Sequence, residues 1–122
     1  MGVASRWGLF KKKARLSTSQ VRSHGTLIGV GDVGLQTRQC FKNIQSVLVA
    51  VGGTLSDIVS ITTYFTDRAQ LPIIQQVRSE FLTDGQETAS TSVMIAGLGH
   101  EDFLVELTPI AVIPVGCFMP PD

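Results

Sequence analysis

The 122-residue sequence has no acidic residue before Asp32, no long apolar run and only two cysteines. Crossing a bilayer takes roughly 18 consecutive apolar residues, and the longest run here is a few residues, which excludes a membrane-spanning chain. Cys40 and Cys117 stand far apart without CxxC spacing, and His24 and His100 are the only histidines. That is too sparse for a metal site, so none is expected. At 16% charged and 43% hydrophobic residues, the chain is too apolar for a disordered polymer. No G-x-S-x-G, P-loop, dinucleotide fingerprint or H-E-x-x-H occurs, so the common catalytic motifs are silent. No apolar segment of secretory length follows the early basic residues. A cytoplasmic setting is expected, with a mitochondrial one as the alternative that the basic head raises. Arg6 stands where a myristoylation motif wants Ser or Thr, so lipidation of Gly2 is not expected.

The charge that is present is divided. Residues 1–31 carry Arg6, Lys11, Lys12, Lys13, Arg15 and Arg22 and no acid, whereas the rest holds four bases and all ten acids. The acidic body has no electrostatic footprint for nucleic acid, and such a partner is not expected. Three segments follow from this division: a basic, flexible N-terminal segment over 1–20, one domain over 21–115 and a tail over 116–122.

Within the domain, Val21 to Val30 reads as a hairpin turning at Ser23, His24 and Gly25. Asp32 is a candidate helix cap, and Cys40, Ile44, Val47, Leu48 and Val51 recur at helical spacing until Gly52-Gly53 permits a left-handed end. Cys40 on that stripe reads as a buried, inert thiol. Ile58 to Phe65 is β-branched and alternating, which predicts a strand with Val59, Ile61 and Phe65 on one face and Ser60, Thr62 and Tyr64 on the other. A second helix is predicted after Asp67, with Pro72 in its first turn, a stripe of Ile73, Ile74, Val77 and Phe81, and a stop at Thr83-Asp84-Gly85. Strands over Ser90 to Leu98 and Phe103 to Ile113 complete the pattern, separated by a turn at Gly99 and His100. Pro109 lacks an N–H and belongs at an edge or a bulge. The order predicts an α+β domain with two helices on one face of a sheet. The other face, bearing Thr62, Tyr64, Thr91 and Glu106, would be covered by another subunit.

Glu106 is the one carboxylate lodged among apolar neighbours, in Phe103-Leu104-Val105-Glu106-Leu107. Such a group is either edge-exposed or partly buried with a raised pKa, and the second condition suits a general acid or base near neutral pH. Ser90, Thr91 and Ser92 form a hydroxyl run at a strand start, better suited to hydrogen bonding than to nucleophilic attack, because no histidine base is in evident reach.

Several segments together carry a resemblance: Gln36 to Ile44, Val47-Leu48 before Gly52-Gly53, Asp57 to Asp67, Val77 to Phe81, Ala89 to Val93, and Leu104 to Leu107 running into Ile110 to Val112. In order and spacing they resemble the Rid family, the reactive intermediate deaminases also called the YjgF family, over residues 26–114. The resemblance implies a chorismate-mutase-like protomer, a homotrimer with small-molecule sites at the subunit interfaces, and hydrolysis of enamines or imines to carbonyl compounds and ammonia without a cofactor. It assigns water activation to Glu106 and substrate contact to Ser90, Thr91, Ser92 and Gln75. The alternative it leaves open is a non-catalytic trimeric module that binds a small metabolite. Departures are specific. Ser90 stands where the family's deaminating branch has an Arg for the substrate carboxylate, Ser92 where a Cys is usual and Gln75 where an Asn is usual, so an atypical substrate lacking the standard carboxylate is expected. Ile28-Gly29-Val30-Gly31-Asp32 runs straight into the first helix, so part of the N-terminal strand region is missing.

Overall fold

The computed structural model describes residues 11–15, 22–23, 25–83 and 85–120. His24 of the expected turn, Asp84 of the expected helix stop and most of the basic head lie outside the described residues. Strands β1 (Lys11–Arg15), β2 (Arg22–Ser23) and β3 (Thr26–Leu27) precede helix α1 (Val33–Ala50). Strand β4 (Ile58–Phe65), helix α2 (Leu71–Phe81), strand β5 (Ala89–Met94) and strand β6 (Val105–Pro114) follow. The main sheet has the order β1-β6-β4-β5, with β5 parallel to β4 and the other pairs antiparallel; β2 and β3 form a separate small ladder. The expected hairpin is that ladder, turning at Gly25, whose φ of 81° is cheap only without a side chain. β1 falls inside the segment that the charge pattern set apart, and pairs Lys11 to Arg15 with Pro114 to Ile110.

Local chemistry explains the element ends. The Leu35 N–H donates to the Asp32 carboxylate at 3.0 Å, satisfying one of the free donors of the first turn of α1. At the other end Gly52 has φ 84°, its N–H donates to Val49, and the Gly53 N–H reaches back to Leu48 at 2.7 Å. These two bonds make a Schellman end, which needs a left-handed residue where Gly52 stands. Asp67 caps a 3₁₀ turn over Arg68–Gln70, accepting from the Ala69 N–H at 2.9 Å, and Pro72 occupies the opening turn of α2.

The core lies between the helices and one face of the sheet. Cys40, Phe41, Ile44 and Leu48 of α1 and Ile74 and Val77 of α2 pack over Ile58, Ile61 and Phe65 of β4 and Val105, Leu107, Ala111 and Ile113 of β6. Phe41 and Phe81 stack across the two helices, with ring centroids 4.9 Å apart and planes 8° from parallel. Two of the expected stripe residues are outside this core: Val47 and Ile73 are each 46% exposed. Each lies at the rim of its helix stripe.

Three further expectations need correction. Val59 is 43% exposed and Ile58 takes the inward place, because the pairing with β6 shifts between Ile58 and Ser60. That irregularity inserts an extra residue and flips the alternation upstream of it. The last two strands are not neighbours: β4 lies between β5 and β6, and the Gly99-His100 turn belongs to a longer connection. Pro109 lies in a central strand rather than at an edge. It pairs with Ile61 beside the irregularity, one residue beyond the last β6 residue that β1 covers, where an absent N–H is tolerated.

Candidate functional site

The faces of the sheet sort the candidate residues. On β6 the odd-numbered residues from Val105 to Ile113 are buried beneath the helices, so Glu106, Thr108 and Ile110 point to the opposite face, which no described helix covers. Register places Glu106 directly across from Tyr64, and Thr108 across from Thr62. Parallel pairing sets Thr91 beside Thr62 and Val93 beside Tyr64 on the same face. Glu106 is half-buried there, and desolvation raises its carboxyl above the ordinary value of 4.5. A carboxyl raised in this way is a stronger base than a solvated one, which suits proton exchange with water.

Ser90 and Ser92 are elsewhere. They pair with the inward-facing Ile61 and Thr63, which puts them on the helix side of β5, at the edge of the sheet where both are exposed. Ser90 is not free: Arg78 of α2 donates through Nη1 to the Ser90 hydroxyl. Gln75 is exposed on α2, one turn ahead of Arg78. The structure therefore gathers Ser90, Ser92, Arg78 and Gln75 at one side of the protomer, and Glu106, Tyr64 and Thr91 at another. No single protomer brings all the candidates together.

Sequence reasoning missed three residues that shape these places. Arg78 lies within the Val77 to Phe81 segment of the resemblance, which gives it no role; its signal is its place one turn after Gln75, beside the apolar stripe. Gln36 is wholly buried at the start of α1. Its Nε2 donates to the carbonyls of Gly29 at 3.1 Å and Asp102 at 2.8 Å, and its Oε1 accepts from the Leu104 N–H at 2.8 Å. That amide fixes the loop that leads into β6, two residues before Glu106. Gln86 performs a similar service for β5, donating to the carbonyls of Leu55 at 2.9 Å and Ile58 at 3.3 Å, and Thr88 adds a bond to Ile58 at 3.1 Å.

Two helices on one face of a mixed sheet, with a half-buried carboxylate and hydroxyls on the other, define a chorismate-mutase-like α+β domain. The chain belongs to the Endoribonuclease L-PSP family, whose sequence profile matches residues 17–113. A RutC family protein of Pyrococcus horikoshii is 32% identical over 81 residues. The 3-aminoacrylate deaminase RutC of Acinetobacter baylyi is 31% identical over 85 residues, and the mitochondrial protein mmf1 of Schizosaccharomyces pombe 32% over 83. The matches cover 66%, 70% and 67% of this chain in that order, and 63%, 66% and 51% of the relatives' own lengths. Among solved structures, the Rid family protein YyfA of Yersinia pestis superposes with a TM-score of 0.76 at 27% identity, covering 81% of this chain and 79% of that one. Escherichia coli TdcF with bound serine gives a TM-score of 0.72 at 26% identity, covering 82% and 80%. Among the described residues no helix is long and apolar enough to cross a membrane.

Proposed function

We propose that this chain hydrolyses a reactive enamine or imine to a carbonyl compound and ammonia, with Glu106 activating the water. One observation carries the reading: Glu106 is a partly desolvated carboxyl opposite Tyr64, on the sheet face that also bears Thr62, Thr91 and Thr108 and that no described helix covers. Family membership and a relative named as a 3-aminoacrylate deaminase support it. In the proposed reaction the enamine first takes a proton from solvent at carbon to become the iminium ion. Glu106 removes a proton from water as the oxygen adds to the C=N carbon. Glu106 returns that proton to the nitrogen of the resulting carbinolamine, and the C–N bond breaks as the hydroxyl oxygen forms the C=O bond. Ammonia leaves, and the hydroxyl proton goes to solvent in place of the one taken at carbon. The balance needs only water.

The separation of Glu106 from the Ser90 edge supports the assembly that goes with this reading. A site using both groups needs two copies, the β5 edge of one meeting the open face of the next. Contact between unlike surfaces closes into a ring, and three copies are the ring that the resemblance implies. The ligand then lies at the subunit interface, where the neighbour excludes water and raises the Glu106 carboxyl further.

The test is release of ammonia and pyruvate from enzymatically generated 2-aminoacrylate, beside sedimentation of the same sample. Turnover by a trimer and a loss of about 10²-fold or more in Glu106→Gln are expected. Turnover unchanged in Glu106→Gln refutes the role of this carboxyl. A trimer that binds the product but never turns over substrate is the non-catalytic metabolite-binding module instead.

A further inference from the structure

We propose that Arg78 is the anion-binding group of this chain's ligand site and takes the carboxylate of a small organic acid at the β5 edge. The identity of the acid rests on the deaminase reading, whereas its charge rests on Arg78 alone.

The position of this guanidinium is unusual among the described cations. Arg38 of α1 pairs with Glu80 of α2 on the protein surface. Lys42 and Arg68 are exposed to water. Arg78 is partly buried, and its one described polar partner is the neutral hydroxyl of Ser90. Among the described residues, burial is the one influence on its ionisation, and it acts downward. Partial loss of hydration costs a cation free energy that a neutral hydroxyl offsets in small part, and an anion would offset more of it.

The geometry fits a carboxylate. A guanidinium has five N–H donors in a planar fork, and Ser90 occupies one nitrogen, Nη1. The remaining donors on Nη2 and Nε can bind two oxygens side by side. Ser90 also fixes the guanidinium against the edge strand, so little side-chain entropy is left to lose on binding. Neutral donors flank it. Ser92 lies on the same side of β5, about 7 Å along the strand from Ser90. Gln75 lies one helical turn away on α2, about 4.5 Å along the axis. One guanidinium beside neutral hydrogen-bonding groups suits a monoanion better than a phosphate dianion.

Pyruvate is the probe, with pyruvamide as its neutral counterpart, titrated calorimetrically into the full chain. The wild-type chain should bind pyruvate and bind pyruvamide more weakly. Arg78→Gln should lose about 10- to 100-fold in pyruvate affinity, the worth of a hydrogen bond to a charged group, and leave pyruvamide binding unchanged. Arg78→Lys keeps the charge without the fork and should fall between; it also serves if Arg78→Gln does not fold. With 2-aminoacrylate, Arg78→Gln should raise KM more than it lowers kcat. Wild-type affinity for pyruvate in both Arg78 variants, or no pyruvate binding by the wild type, overturns the assignment even if 2-aminoacrylate is hydrolysed. Arg78-dependent pyruvate binding without any turnover leaves the assignment standing and sinks the hydrolase reading.

Discussion

Replacing Gln36 by Leu should be among the most damaging single changes to this fold. The side chain is 0% exposed, and its amide holds three backbone groups from two distant segments. Leucine is close in volume, so cavity formation contributes little. The loss is polar. The Leu104 N–H and the Asp102 carbonyl would lose the amide that serves them, at about 1–3 kcal/mol each. The Gly29 carbonyl keeps a second partner, the Asp32 N–H at 2.8 Å, so its share is smaller, about 0.5–1 kcal/mol. The apolar gain of leucine offsets part of this, leaving about 3–5 kcal/mol against a typical total of roughly 5–15. At this size that corresponds to a fall of roughly 10–20 °C in melting temperature. Urea and thermal unfolding followed by circular dichroism give the number directly, with an unchanged urea slope showing that the unfolded state is not the cause. A Gln36→Leu chain within about 1 kcal/mol of wild type would refute the reasoning and show that water serves those groups as well as the amide does.

Other outcomes follow from single features. A Cβ at Gly52 would lie 1.8 Å from the Cys117 carbonyl oxygen and φ is 84°, so Gly52→Ala should push the segment after β6 away from α1. Faster hydrogen exchange at Met119, whose N–H bonds Val51 at 2.8 Å, would report it. A thiol reagent should modify Cys117 in the native protein and Cys40 only in denaturant, because Cys40 is wholly buried and Cys117 is exposed; two reactive thiols in the native state would contradict the core described here. Glu106 gives a pH signature. An acid whose folded pKa lies above its unfolded one costs stability as pH climbs through the interval between them, since the unfolded chain releases its proton first. Melting curves of wild type and Glu106→Gln should therefore coincide in acid and separate in favour of the variant above that interval; parallel profiles would show that the carboxyl is not desolvated. Glu80→Gln should leave unfolding nearly unchanged, because its partner Arg38 is solvent-exposed and the pair is screened.

What could be read in the sequence was whatever short-range chemistry decides. The bounds of β4, the Asp32 cap and the Gly52-Gly53 end were all legible, since a β-branched run, a capping carboxylate and a left-handed glycine act within a few residues. Pairing across the sheet was not. Nothing near Ala89 to Met94 says that β4 rather than β6 will be its neighbour, because that choice is made by the path of α2 over the sheet. The displaced alternation at Val59 was hidden for the same reason: an irregular pair is a property of two strands. Within the candidate site, Glu106 was legible from its apolar setting. The contact between Arg78 and Ser90 was not, since it joins a helix to a strand and leaves no periodic trace in either.

The order of the sheet also bears on how the protein assembles. Residues 33–94 contain both helices, β4 and β5, and the parallel β4-α2-β5 unit closes a loop of modest length. β6 arrives after all of them in the chain, yet it lies between β1 and β4 and pairs with both. During synthesis β4 is made well before the strand that completes its inner edge, and that edge presents unpaired backbone groups until residues 105–114 emerge. A pause in translation within that interval would leave the nascent chain with its most adhesive surface uncovered, which makes the stretch before Val105 the point at which a chaperone has the most to protect.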